Sequence, residues 1–194
     1  MYSIQDRTPV SIVIANYNYA HFLKRSIDSA LEQDYADAEV IVVDDASSDA
    51  TANVIASYGS RIRTCLREVN GGHAAAFNTG FASSHGEIVL FLDADDYLYP
   101  NAVSEVVEAW EEKTAQVQFR LHIVDEEMHV KDIFPPMELP FDSGDVIPEL
   151  LRKGRDQTTV TSGLALKRSV LDRVMPVPEP EFRPGADGYL ATVA

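Results

Sequence analysis

Ile88-Val89-Leu90-Phe91-Leu92-Asp93-Ala94-Asp95-Asp96 is the most informative stretch of this chain. Five apolar residues without a polar interruption read as a buried strand of a parallel sheet, where both faces are covered. The run then stops on three carboxylates within four residues. Such groups repel one another unless water or a cation screens them. Hard oxygen ligands favour Mg2+ or Mn2+, ions that bridge protein carboxylates and substrate phosphates. A solvated acidic turn leading to a helix at Pro100 has the same local composition, so the triplet gains weight only from its place at a strand end.

The rest of the first half alternates strands with helices. Residues 10–15, 40–43 and 61–66 read as strands. Leu23, Ile27, Ala30 and Leu31 form an amphipathic stripe. Ser48 or Asp49 can cap a helix carrying Val54, Ile55 and Tyr58. A small-residue helix is expected over 72–83, and another after Pro100 with Val103, Val106, Val107 and Trp110 on one face. This alternation predicts βαβ units: an α/β fold, with helices on both faces of a mostly parallel sheet. After residue 115 the pattern changes. Strands are expected over 117–124, 130–134 and 158–166, short helices over 146–153 and 169–174, and proline-rich loops over 134–144 and 177–188. The reading is a single unit over 1–194, with a nucleotide-binding half over 1–115 and a smaller β region over 116–194.

Composition narrows the function classes. Sixteen basic residues against thirty-one acidic ones give a formal charge of -15. That field repels nucleic acid and anionic membrane surfaces. A phosphate-bearing substrate meets the same repulsion, so a metal ion or backbone dipoles would have to offset it. The single cysteine, Cys65, cannot form an internal disulfide, which suits a reducing compartment. No apolar run approaches the ~20 residues that span a bilayer, and Met1 to Arg7 lacks a signal-peptide pattern. The expectation is a cytoplasmic protein, with room for peripheral attachment to the inner face of a membrane. No histidine spacing suggests zinc, and no Walker loop or nucleophile elbow is present.

Two further polar clusters stand at strand ends. Ala15-Asn16-Tyr17-Asn18 could stack on a base and bond a ribose, or could serve only as a turn. Asp44 and Asp45 follow the second strand and face the same crevice; Asp45 reads as the ligand contact and Asp49 as mainly a cap. Between them lies Asn70-Gly71-Gly72-His73-Ala74-Ala75-Ala76-Phe77-Asn78-Thr79-Gly80, where glycines permit close approach of a ligand or simply close helix packing.

Taken in order, residues 10–18, the acidic block 44–51, Asn70 to Gly80, and Gly86-Glu87 with Asp93 to Asp96 resemble the family 2 glycosyltransferases of the GT-A fold. The clear match covers about residues 9–107. The resemblance implies a Rossmann-like α/β/α sandwich and an inverting transferase. It implies a nucleoside-diphosphate sugar donor, often a UDP-sugar, with Mn2+ or Mg2+. It assigns Ala15, Asn16, Tyr17, Asp45, Gly72, Asn78, Asp93, Ala94 and Asp95 to the nucleotide sugar. It assigns the metal to Asp95 first, with Asp93 and Asp96. The acceptor would be a saccharide or a lipid-linked molecule.

Departures from the family pattern are equally specific. Relatives often carry a basic residue where this chain has Phe77; His73 is a substitute in principle. Gly185-Ala186-Asp187-Gly188 resembles the segment that holds the catalytic base, with Ala186 in place of an acid. Asp187 is the expected base, Glu179 and Glu181 the reserves, and Thr161-Ser162-Gly163 the expected neighbours of the acceptor. The chain stops seven residues after Asp187, where relatives continue, which reads as a truncated domain. Two rivals remain open. A non-catalytic nucleotide-sugar-binding module fits Phe77 and Ala186. A sugar nucleotidyltransferase fits less well, because Asn16-Tyr17-Asn18-Tyr19 stands where a basic glycine-rich loop would be needed.

Overall fold

Val10, Ile12, Val13 and Ile14 are almost completely withdrawn from solvent, as are Ile41 to Val43 and Ile88 to Leu92. These runs form the middle of the sheet in the computed structural model, which describes residues 8–153 and 159–193. Met1 to Arg7, Thr158 and Ala194 lie outside the described residues. The main sheet has the order β3-β2-β1-β4-β8-β5. β1 (Val10–Asn16), β2 (Ala38–Asp44), β3 (Arg63–Leu66) and β4 (Ile88–Asp93) are parallel. β8 (Leu164–Lys167) runs antiparallel to both β4 and β5 (Gln116–Gln118). A separate two-stranded ribbon joins β6 (Leu121–Val124) to β7 (Val130–Phe134). The mostly parallel sheet and the smaller β region agree with the sequence reading.

Apolar side chains leave the sheet on alternate faces and meet different helices. Ile12, Ile14, Val40, Val42, Leu90 and Leu92 pack with Leu23 and Ile27 of α1 (Ala20–Leu31), with Ile55 of α2 (Thr51–Ala56), and with Val103, Val106 and Val107 of α4 (Ala102–Glu108). Val13, Ile41, Val43, Val89 and Phe91 pack with Ala74, Ala76 and Phe77 of α3 (His73–Ser83). Leu171 of α6 (Arg168–Val174) and Leu190 of α7 (Ala186–Val193) join that second cluster. α3 can lie this close because of Gly80: a Cβ there would stand 2.2 Å from Val13 Cγ1.

Several expected elements are broken. The expected strand 117–124 is two strands: β5 joins the main sheet, β6 joins the ribbon, and the Phe119 amide between them bonds the Gly163 carbonyl at 3.0 Å. Within the expected strand 158–166, Thr161–Gly163 form a 3-10 turn and the strand itself begins at Leu164. Arg61 closes another 3-10 turn, so β3 begins at Arg63. Pro100 precedes the cap of α4, Asn101, rather than entering its first turn, and Trp110 lies past its end. The expected helix over 146–153 is α5 (Ile147–Lys153). The loop from 177 ends at Gly185, and Gly188 falls inside α7.

Candidate functional site

Register brings the polar strand ends together. Asn16 pairs with Asp44 across β1 and β2, and Ala15 pairs with Asp93 across β1 and β4. The carboxyl ends of three adjacent parallel strands therefore open on one crevice, the ordinary ligand position of such a sheet. A cavity of about 560 Å³ lies there. Its walls include Ala15, Asn16, Tyr17, Asp45, Gly72, Asp93, Ala94 and Asp95, eight of the nine residues expected to meet a nucleotide sugar. Tyr17 and Tyr19 are 47% and 42% exposed, so their rings are open to a ligand.

Asn78 is the ninth, and it lies elsewhere. Its amide donates to the Val177 carbonyl at 2.9 Å and accepts from the Val177 amide at 2.8 Å, with Glu179 at 3.1 Å. It fastens the 177–185 segment to α3. Glu179, held on Asn78, stands with it rather than among the cavity-wall residues.

Asn16 is buried, and its amide donates to Asp44 Oδ1, Ser47 Oγ and Thr51 Oγ1. Its own Oδ1 has no hydrogen-bond partner among the described residues. Asp45 is buried as well, and its carboxylate organises the opposite wall. It accepts from Arg67 Nε at 2.7 Å, from the Gly71 amide at 3.0 Å and from the Gly72 amide at 2.7 Å. Gly72 turns there with φ 85, a conformation that disfavours side chains. Asp49 bonds the Thr51 and Ala20 amides at the starts of α2 and α1, which is the structural role expected of it.

The three carboxylates after β4 have different surroundings. Asp93 meets His73 Nε2 at 3.0 Å, and its amide donates to Ser162 Oγ at 3.1 Å. Asp95 is exposed on the cavity wall. Asp96 turns toward Ser162, and burial pushes its carboxyl above the ordinary value; the Ser162 hydrogen bond opposes this, while the charges of Asp93 and Asp95 add to it. Among the described residues no three acidic, histidine or cysteine side chains converge on one point. This set suits Mn2+ or Mg2+ all the same, because such ions take one or two protein carboxylates and complete their shell from phosphates and water. A nearby cation would offset both the burial of the Asp96 carboxyl and the neighbouring charges of Asp93 and Asp95.

Phe77 is completely buried, stacked on Phe91 with ring centroids 4.4 Å apart and met by the tilted His73 ring at 4.1 Å. A side chain at this position faces the core, so no nucleotide contact comes from it. Thr161, Ser162 and Gly163 are also buried, beneath the carboxylate turn rather than open to an incoming molecule. Asp187 stands in the first turn of α7, three residues beyond Pro184 of the cavity wall. Tyr19, Asn70, Ala76, Arg183 and Pro184 also line the cavity; the sequence reading placed Asn70 and Ala76 in a motif without giving them a contact, and did not single out Arg183 or Pro184. Tyr19 adjoins a cluster that was noticed, but the approach of Arg183 to Asn70 joins residues far apart in the chain and has no local signal.

Comparisons with known proteins bear on the fold and the family. An uncharacterized glycosyltransferase of Nostoc sp. (strain PCC 7120) is 36% identical over 93% of this chain, which spans 58% of that protein's length. The structure of S. aureus TarS 1-349 in complex with UDP superposes with a TM-score of 0.69 at 21% identity, over 92% of this chain and 52% of that one. The mannosyltransferase PcManGT from Pyrobaculum calidifontis, in complex with GDP-Man and Mn2+, gives 0.63 at 24% identity, over 92% and 49%. These two likenesses show the fold. The profile of glycosyl transferase family 2 matches residues 11–173, so the chain belongs to that family.

Proposed function

We propose that this chain binds a nucleoside-diphosphate sugar, with UDP-sugars the first candidates, and transfers the sugar with inversion to a hydroxyl of a saccharide or lipid-linked acceptor. The observation that carries this reading is the strand register, which opens Ala15, Asn16, Tyr17 and Asp45 on the same cavity as Asp93 and Asp95. Tyr17 stacks on the base and the Asn16 and Asp45 wall borders the nucleoside. Asp95 and Asp93 lie toward the diphosphate, with Asp96 behind them. These residues would hold Mn2+ or Mg2+, which supplies Lewis-acid stabilisation of the departing diphosphate. UDP in TarS and GDP-Man with Mn2+ in PcManGT support a donor of this class.

Asp187 is the base in this reading. Its position directly after the cavity-wall segment supports that role. It takes the proton of the acceptor hydroxyl as the oxygen attacks the anomeric carbon. The bond from that carbon to the phosphate oxygen breaks, and the nucleoside diphosphate leaves with the electron pair. Cys65, whose Sγ meets Ser83 Oγ at 3.1 Å, is free, in keeping with a reducing, cytoplasmic setting. Among the described residues no helix is long and apolar enough to cross a membrane.

The test is transfer from a panel of UDP- and GDP-sugars, with product configuration read by NMR. Inversion is expected, and Asp187→Asn should lower kcat by about 100-fold or more with donor affinity unchanged. Retained configuration, or full turnover by Asp187→Asn, would contradict the mechanism.

A further inference from the structure

A donor diphosphate in this cavity meets an electrostatic deficit. The protein carries a formal charge of -15, and the cavity wall already includes Asp45, Asp93 and Asp95. A helix N-terminus is one common source of positive potential for phosphate, and α3 starts at this cavity. The amides that lead into it, up to His73, are committed. Gly71 and Gly72 donate to the Asp45 carboxylate, and His73 donates its amide to the Arg183 carbonyl at 2.8 Å. The His73 imidazole is engaged by Asp93.

Among the described residues, Arg183 is the one in the cavity wall with a permanent positive charge. It belongs to the 177–185 segment, which is pinned at both ends. Val177 is held by Asn78, and Arg183 Nη2 donates to Asn70 Oδ1 at 2.6 Å and to the Asn70 carbonyl at 3.2 Å. Asn70 in turn donates to the Asp45 carbonyl at 3.2 Å. The arm of Arg183 lies directly over Gly72, where a Cβ would stand 2.5 Å from Arg183 Cγ. Asn70 therefore orients one edge of the guanidinium. Its Nε and Nη1 have no hydrogen-bonded acceptor among the described residues.

We infer that Arg183 is a donor-binding residue that contacts the diphosphate oxygens through this free edge. It does so from the wall segment rather than from the strand ends that supply the other donor contacts. This rests on the donor-site reading above. A planar fork of donors suits phosphate oxygens, and part of its ordering is already done by Asn70. The same segment continues through Gly185 into α7, so the diphosphate contact and Asp187 sit on one continuous stretch of chain.

Calorimetry tests this with UDP and UMP, or GDP and GMP if the guanine nucleotide is the one bound, each with Mn2+ and with EDTA. In Arg183→Gln, affinity for the diphosphate should fall about tenfold or more. The monophosphate should lose less, so the preference for diphosphate over monophosphate should narrow. Arg183→Lys, which keeps the charge, should recover part of the loss. The difference should persist in EDTA if the contact is direct. Wild-type diphosphate affinity in Arg183→Gln would overturn the inference and leave the donor site standing. Equal loss of diphosphate and monophosphate would also overturn it, by showing that Arg183 only shapes the wall. A wild-type protein that binds neither nucleotide in any condition would remove the donor reading itself.

Discussion

Asp45 serves the fold and the cavity at once. The sequence marked it as a carboxylate at a strand end, but its partners are Arg67, Gly71 and Gly72, all brought in by tertiary structure. Asp45→Ala would leave two amides and the Arg67 Nε without their acceptor. A loss of about 3 kcal/mol or more of stability is expected from denaturant unfolding; a change under 1 kcal/mol would show that the loop holds its place without it. Phe77 gives the complementary lesson. A departure from the family pattern raised the question of a missing basic contact, and burial answers it, since the position belongs to the core between His73 and Phe91. Periodicity could not decide this, because α3 is small and apolar on most sides and has no clear polar face.

At the scale of elements, β1, β2, β4 and α1 follow from their own sequences. Continuous apolar runs define strands covered on both faces, and a regular stripe defines the helix. The second half was less legible. Residues 117–124 have uniform strand character, yet the chain must leave the main sheet after Gln118 to form the ribbon with β7. That change of partner is decided by pairing with β8, which comes later in the chain. The contact of α3 with the sheet is a sharper case. Gly80→Val should clash with Val13 and cost about 1–3 kcal/mol in unfolding experiments. Unchanged stability would mean that α3 can retreat from β1 without loss.

At the scale of the whole molecule, the excess of carboxylates governs the pH response. Asp28, Glu39 and Asp49 all sit below their ordinary values. Burial alone would raise each, but their hydrogen bonds outweigh it, with nearby cations adding to the effect at Asp28 and Glu39. Glu39, for example, accepts from Ser11 Oγ at 2.7 Å and from the His85 amide at 2.6 Å, tying β2 to β1 and to the turn before β4. Carboxyls depressed by folding stabilise the native state above their unfolded values near about 4, and that stability is lost as pH falls through the folded values. Denaturant midpoints should therefore drop as pH falls below about 5, and Glu39→Gln should shallow the drop. Equal acid sensitivity in wild type and variant would remove Glu39 from this account.

The same acidic character sharpens the central claim, which is that a nucleoside diphosphate enters a cavity walled by carboxylates with help from a cation. Calorimetric titration of UDP and of GDP, each with Mn2+ and with EDTA, in wild type and in Asp95→Ala, tests it most directly. The account predicts binding of one nucleotide that is strengthened by Mn2+, with that strengthening absent in Asp95→Ala. Binding equal in Mn2+ and EDTA, or an Asp95→Ala protein that responds to Mn2+ as wild type does, would contradict it.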